Sequence, residues 1–310
     1  MYIEECGLIR YKNNPVIKPE DFSGALATFN CAPVRFNNKY LLLLPIQLKG
    51  SNYPEIHIAE SDNGIDFSIR KEPFITKSKT PGIAELDDWP IDPRVTYIKE
   101  DDMYYIIRPL TTDSFGTSSL LGRTKDFVTY EEMSIIALPE NRVPCLFPEK
   151  INGKYMRFDR PTYGASGRAG IWVSYSNDLI HWGEYRHFLA PWTDWGKMKI
   201  GPTPPIKTKY GWLEIIHGVK PSHQRRYSLG AVLMDLNDPT KIIGKANSPI
   251  LTPTMPYEYM GHVPNVVFAC GALADEENDE LRIYYGAADT CIGLAIGKLS
   301  EIAEMCILGK

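Results

Sequence analysis

One local pattern recurs along this chain and fixes the kind of fold it can build: a short apolar strand, a small or polar residue, then an Asp-containing turn. It stands at residues 56–67, 120–127 and 171–182, with weaker copies at 231–239 and 292–299. Successive copies lie roughly 50–65 residues apart, close to the period of a four-stranded propeller blade. Short strand candidates precede each copy, at 39–44, 103–107, 154–158, 211–216 and 281–285, each following a polar turn. The chain carries 24 Gly and 24 Pro and shows no sustained helical periodicity, so an all-β fold is expected. A β-sandwich would not require a five-fold long period. Five copies therefore predict a five-bladed β-propeller, with residues 1–310 as a single domain.

Propellers bind ligands at the central channel, where the starts of the innermost strands converge. The segment Trp89-Pro90-Ile91-Asp92-Pro93-Arg94-Val95 places an acidic residue between two prolines directly before an apolar run. Each proline pushes the residue before it toward extended geometry, so Ile91 and Asp92 are expected to be held stiffly extended at a strand entrance. Comparable mixtures of proline with polar or charged residues occur at Asn30-Cys31-Ala32-Pro33, Pro148-Glu149-Lys150, Asp159-Arg160-Pro161 and His262-Val263-Pro264-Asn265.

Composition removes several function classes. A formal charge of −4 argues against a nucleic-acid or anionic-membrane surface. The longest apolar run of note, 40–46, is far too short to span a bilayer. Residues 1–6 are acidic, without the basic leader of a signal peptide, and six scattered cysteines form no CxxC pair. These features lead us to expect free thiols and a cytoplasmic location. No His/Asp cluster has metal-ligand spacing, so no metal site is expected.

The segments Phe147-Pro148-Glu149-Lys150-Ile151, Gly211-Trp212-Leu213 with His217-Gly218-Val219, Pro264-Asn265-Val266-Val267-Phe268 and Tyr284-Tyr285-Gly286-Ala287-Ala288-Asp289 resemble glycoside hydrolase family 130. So does Asp92-Pro93-Arg94, and the likeness runs through nearly the whole chain. The resemblance implies a five-bladed propeller that performs inverting phosphorolysis of β-mannosides, giving α-mannose 1-phosphate and a shortened acceptor. It implies Asp92 as general acid, relaying its proton through a mannose hydroxyl. Such a group must be protonated in the reactive complex, so a raised pKa is expected for it. Phosphate is already anionic and needs a cradle of cations in place of a base. Lys150, Arg160, His217 and Arg123 are the candidates for that cradle, with Arg108 beside them. Substrate binding is expected of Asn30, Arg94, Asp289, Glu149 and Tyr257, and Trp89, Trp192 and Trp195 are candidate apolar walls. Inorganic phosphate is the expected co-substrate, with no cofactor, and the partners are small molecules: an oligosaccharide and phosphate.

The chain departs from the common phosphorylase pattern at Asp159, which precedes Arg160 where His is frequent. Two rivals follow: an inverting β-mannosidase using Glu149, Glu214 or Glu258 as base, and a non-catalytic glycan-binding propeller. Loops 111–117 and 222–226 are candidates to close the site of a second copy in a homo-oligomer.

Overall fold

The computed structural model describes residues 7–163, 168–221 and 225–310, so Cys6, the acidic start of the chain and part of the 222–226 loop lie outside the described residues. The strands form five sheets arranged as the blades of a β-propeller. Blade two shows the plan: inner strand Arg94–Ile98, then Met103–Thr112, Gly116–Thr124 and outer strand Glu131–Ala137, all antiparallel neighbours. The five repeat copies coincide with the third strands, Glu55–Ser61, Gly116–Thr124, Ile171–Ser176, Arg226–Met234 and Cys291–Lys298.

The turn that ends each strong copy explains why the pattern repeats. The side chains of Asn63, Asp126 and Asp178 each accept two backbone N–H groups from the residues that follow, at 2.8–2.9 Å. Ser61, Thr124 and Ser176, two positions earlier, cap the same turns through their hydroxyls. The residue after each Asn or Asp takes a left-handed φ: Gly64 at 73°, Phe127 at 54° and Leu179 at 68°. A left-handed backbone is costly for Phe and Leu, and burial of both side chains offsets it. Asp235 makes the same turn in blade four. In blade five the copy runs instead into the helix Leu299–Leu308, which buries Leu299, Ile302, Ala303 and Cys306 at helical spacing and ends at Gly309.

Blades pack face to face, so a middle strand is buried on both sides and loses the alternation of a half-exposed strand. In Lys39–Leu48, Leu41 and Leu43 pack toward blade two with Val95 and Ile106. Leu42 and Leu44 point the other way, against Tyr284, Ile292 and Leu294 of blade five. Five cysteines, Cys31, Cys145, Cys270, Cys291 and Cys306, are buried free thiols. No helix among the described residues is long and apolar enough to cross a membrane.

Closure of the ring mixes the two ends of the chain. Leu8–Arg10 adds to Cys291–Lys298 as the outermost strand of blade five. Arg10 then donates to both oxygens of Glu258, at 2.7 and 3.0 Å, and the same carboxylate accepts Tyr285 Oη at 2.8 Å and the Thr254 N–H at 2.7 Å. Removing one member of a buried ion pair strands its partners, so Glu258→Ala should lower unfolding stability by about 3 kcal/mol. Urea denaturation followed by tryptophan fluorescence measures this, and a shift under about 0.5 kcal/mol, the size of an ordinary surface substitution, would show that the closure does not depend on the pair.

Candidate active site

Antiparallel pairing decides which residues meet. The inner strand of blade two begins at Arg94, whose partner Ile107 lies midway along the second strand; that strand runs on to Thr112, so Asp92 and its last residues share one face of the ring. Gly50, Ser51, Arg160, Arg225 and Asp289 join Asp92 in lining a cavity of about 700 Å³, within the range of small-molecule sites.

Asp92 lies on the cavity wall, 3% exposed. Its backbone is not extended: φ is 48°, a left-handed conformation that corrects the expectation drawn from the flanking prolines. Strain of this kind costs on the order of 1–3 kcal/mol and persists only where the surroundings hold it. Arg94 supplies the hold from below, donating Nη1 to the carbonyls of Asp92 at 2.8 Å and Pro93 at 3.3 Å. On the cavity side the carboxylate accepts Asn30 Nδ2 and Arg142 Nη2, both at 2.8 Å. Asn30 can stand there because Gly286 has no side chain; a Cβ on that glycine would lie 2.0 Å from Asn30 Oδ1.

Electrostatics separates the two carboxyl groups of the cavity. Burial pushes the Asp92 pKa upward, but the charges of Arg142 and Arg94 and the Asn30 hydrogen bond outweigh it, and the net shift is downward. The raised value expected for Asp92 belongs instead to Asp289, pushed up to about 7 by burial and by the charge of Asp92.

A second group of side chains is cationic. Arg142, Arg160, Lys199 and Arg225 line the cavity together with His217 and Tyr227. Burial, and then the Arg160 and Arg142 charges, lower Lys199 to about 7, and burial with Arg142 lowers Arg160 to about 10. Burial and the same cations hold His217 well below its ordinary value, so its imidazole is neutral, tilted against the Phe268 ring with centroids 4.4 Å apart. Among the described residues, no carboxylate lies within ion-pair distance of Arg160 or Lys199. Cations crowded until they repel one another, without a paired acid, make a site for an anion. Asp159 serves this group indirectly: it accepts Asn141 Nδ2 at 2.8 Å, and Asn141 Oδ1 accepts the Arg160 N–H at 3.0 Å.

Of the residues singled out in the sequence, Asp92, Asn30, Asp289, Arg160, His217 and Trp89 meet at the cavity. The other candidates do not line it. Lys150 and Glu149 follow the inner strand Cys145–Leu146 and so emerge at its opposite end, where Glu149 pairs with Lys207 at 2.6 Å and Lys150 sits 4.5 Å over the Tyr155 ring. Arg123 lies near the far end of its strand, paired with Glu131 at 2.8 Å. Tyr257 packs into the blade-five core beside Tyr285, and Arg94 acts beneath Asp92. Arg108 is consumed in a buried bidentate pair with Asp87, both bonds 2.6 Å. Glu214 is buried and accepts the Thr203 N–H, and Glu258 closes the ring; neither lines the cavity. Trp192 and Trp195 pack against each other in a blade core.

Arg142, Lys199, Arg225 and Tyr227 were not singled out. For Arg142 a signal existed: Arg142-Val143-Pro144 stands before the blade-three inner strand as Asp92-Pro93 stands before that of blade two.

A family model described as beta-1,4-mannooligosaccharide phosphorylase matches residues 8–308. The chain is 33% identical to the "Beta-1,4-mannooligosaccharide phosphorylase" of Ruminococcus albus over 95% of this chain and 89% of that one. It is 38% identical to the "Beta-1,2-mannobiose phosphorylase" of Listeria innocua over 86% of this chain and 74% of that one. A solved structure of the beta-1,2-mannobiose phosphorylase from Listeria innocua with beta-1,2-mannobiose superposes with a TM-score of 0.84 at 31% identity, covering 97% of this chain and 99% of that one.

Two outcomes follow from the geometry. A Cβ on Gly201 would lie 2.3 Å from His217 Cε1 and 2.8 Å from Arg160 Cδ, so Gly201→Ala should displace both and weaken sulfate binding at least roughly tenfold, about 1.4 kcal/mol in affinity. Sulfate keeps a constant charge near neutrality, whereas Lys199 loses its proton and Asp289 gains charge as pH rises through about 7. Both changes oppose an anion, so calorimetric sulfate affinity should fall between about pH 6 and 8, with Lys199→Met flattening the profile. Affinity that rises over this range would contradict the assignment.

Proposed function

This chain belongs to glycoside hydrolase family 130, and from that premise we propose that it is an inverting β-mannoside phosphorylase with Asp92 as the general acid. The observation that carries the reading is the cation group of Arg142, Arg160, Lys199 and Arg225, set in one cavity with Asp92. No glutamate lines that cavity among the described residues, and its two carboxyl groups, Asp92 and Asp289, are close enough for the charge of Asp92 to raise Asp289. Inverting hydrolysis needs a second carboxylate set apart from the acid, with room for water between them. Phosphorolysis needs an anion site, which is what these side chains build.

In the proposed reaction a phosphate oxygen held by the cations attacks the anomeric carbon from the face opposite the leaving group. The bond from that carbon to the glycosidic oxygen breaks. The proton of Asp92 passes through a mannose hydroxyl to the departing oxygen, leaving the acceptor with a free hydroxyl and Asp92 as carboxylate. The hydrogen brought by HPO₄²⁻ is released as the phosphate ester forms and restores Asp92 through solvent. The net change converts β-mannoside and HPO₄²⁻ into α-mannose 1-phosphate and acceptor. Inorganic phosphate is the co-substrate and no cofactor enters. The charged product is retained by a membrane, which supports a cytoplasmic site of action.

Arg142 ties the acid to the nucleophile. Without phosphate its guanidinium favours the Asp92 carboxylate. A phosphate dianion on the same guanidinium offsets that attraction and adds its own negative charge, which raises the proton affinity of Asp92. The acid is thereby loaded when its nucleophile is present.

Relatives bearing names for both β-1,4 and β-1,2 linkages make β-mannosides the substrate class. The decisive assay is product analysis on β-1,2-mannobiose, β-1,4-mannobiose and β-1,4-mannosyl-glucose, with and without phosphate. Mannose 1-phosphate should form only with phosphate, and Asp92→Asn should lower kcat by about 10²–10⁴-fold. Free mannose released equally in both conditions would establish a hydrolase instead.

A further inference from the structure

The cavity is graded from floor to mouth. Its charged and polar floor is buried, with Asp92, Arg160 and His217 each at most 5% exposed. The mouth is open, and Leu26, Trp89 and Val263 line it with exposures of 45%, 41% and 40%, beside the exposed Ser51, Arg225 and His262. Single exposed apolar side chains are ordinary on a protein surface. These three come from separate elements and converge on one opening.

Each is also held in place by its backbone. Leu26 is the extra residue of a bulge between Ala25, which faces Leu48, and Ala27, which faces Gln47, a device that re-aims a side chain out of its ladder. Trp89 follows Asp88, whose N–H donates to the Thr111 carbonyl at 3.1 Å. Val263 donates its own N–H to the Ala288 carbonyl at 3.2 Å, next to Asp289. Beside Leu26, the cavity-lining Gln47 gives both its amide donor bonds to backbone carbonyls of Leu48 and Ser51. Its side chain is thereby tied to the backbone beneath the rim, with Oε1 buried.

Resting on the phosphorylase reading above, we propose that Leu26, Trp89 and Val263 form an apolar collar that receives the acceptor sugar by the C–H face of its ring. Asp92, Arg160 and His217 occupy the floor, where the anomeric carbon must lie between acid and phosphate. The leaving sugar therefore extends outward, and the collar is continuous with the path it takes. A sugar ring offers apolar C–H bonds on its faces and hydroxyls at its edge, which matches apolar side chains with the polar Ser51, Arg225 and His262 beside them.

The test uses binding, so that it does not depend on turnover. In the Asp92→Asn protein, titration calorimetry compares β-1,2- and β-1,4-mannobiose with methyl β-mannoside, which lacks an acceptor sugar, and with inorganic phosphate. Adding Trp89→Ala should weaken at least one mannobiose roughly tenfold, while methyl β-mannoside and phosphate stay within about twofold; Trp89→Phe should recover most of the loss. Equal loss for mono- and disaccharide, no loss for either, or no binding of any mannobiose overturns the collar. Failure of the phosphorylase reading appears separately, as wild-type protein that makes no mannose 1-phosphate from phosphate and β-mannosides.

Discussion

The site depends on one carboxylate gripped by two guanidinium groups for different ends. Arg94 reaches the main-chain carbonyls of Asp92 from beneath and holds a left-handed backbone that the following proline disfavours. Arg142 reaches the carboxylate itself from within the cavity. The first fixes where the carboxyl group points, and the second lowers its affinity for a proton. Division of labour of this kind requires Arg94 to be dry and Arg142 to be reachable by solutes. The structure meets both conditions, with Arg94 1% exposed and the Arg142 side chain 31% exposed.

Crowding cations around a cavity works against folding, since their charges repel and burial strips their water. A propeller supplies the compensation at a distance. Its blades bury apolar strands on both faces, and its ring closes with the Arg10–Glu258 pair, far from the charges it must hold together. Stability generated in the blades lets the central face carry a group of cations that no carboxylate among the described residues neutralises at Arg160 or Lys199. Placing a glutamate there would relieve the repulsion and occupy the anion site at the same time.

The fold was legible because its repeat is a local chemical device. A Ser or Thr two residues before Asn63, Asp126 or Asp178 caps the same turn each time, and that geometry is written in adjacent residues. Asp92 was legible for a similar reason, since its prolines mark a stiff turn. Its left-handed φ was not, because Arg94 imposes it through contacts that proline propensity does not contain. The phosphate candidates Lys150 and Arg123 misled through phase: each lies on the correct blade at the wrong end of a strand. The blade-three inner strand is only Cys145–Leu146, too short to show an apolar pattern of its own, so its approach at Arg142 is less visible in the sequence than the proline motif at Lys150. The C-terminal helix escaped because its spacing of Leu299, Ile302, Ala303 and Cys306 overlaps the last repeat copy.

The same geometry divides the carboxyl and cationic groups of the cavity among the blades. Asn30 comes from blade one, Asp92 from the approach to blade two, Arg142 and Arg160 from blade three, Lys199 and His217 from blade four and Asp289 from blade five. No single strand could present them, because side chains on one strand face alternate sides at a fixed rise. Convergence of strand ends and hairpin turns removes that limit and sets groups distant in sequence against one small volume. It also isolates their tuning. Asn30 can contact Asp92 only because Gly286 of another blade leaves the space open, and His217 and Arg160 share theirs only because Gly201 does. The glycines carry no chemistry, yet they fix how closely the chemical groups approach one another, and that distance sets the electrostatic coupling between them.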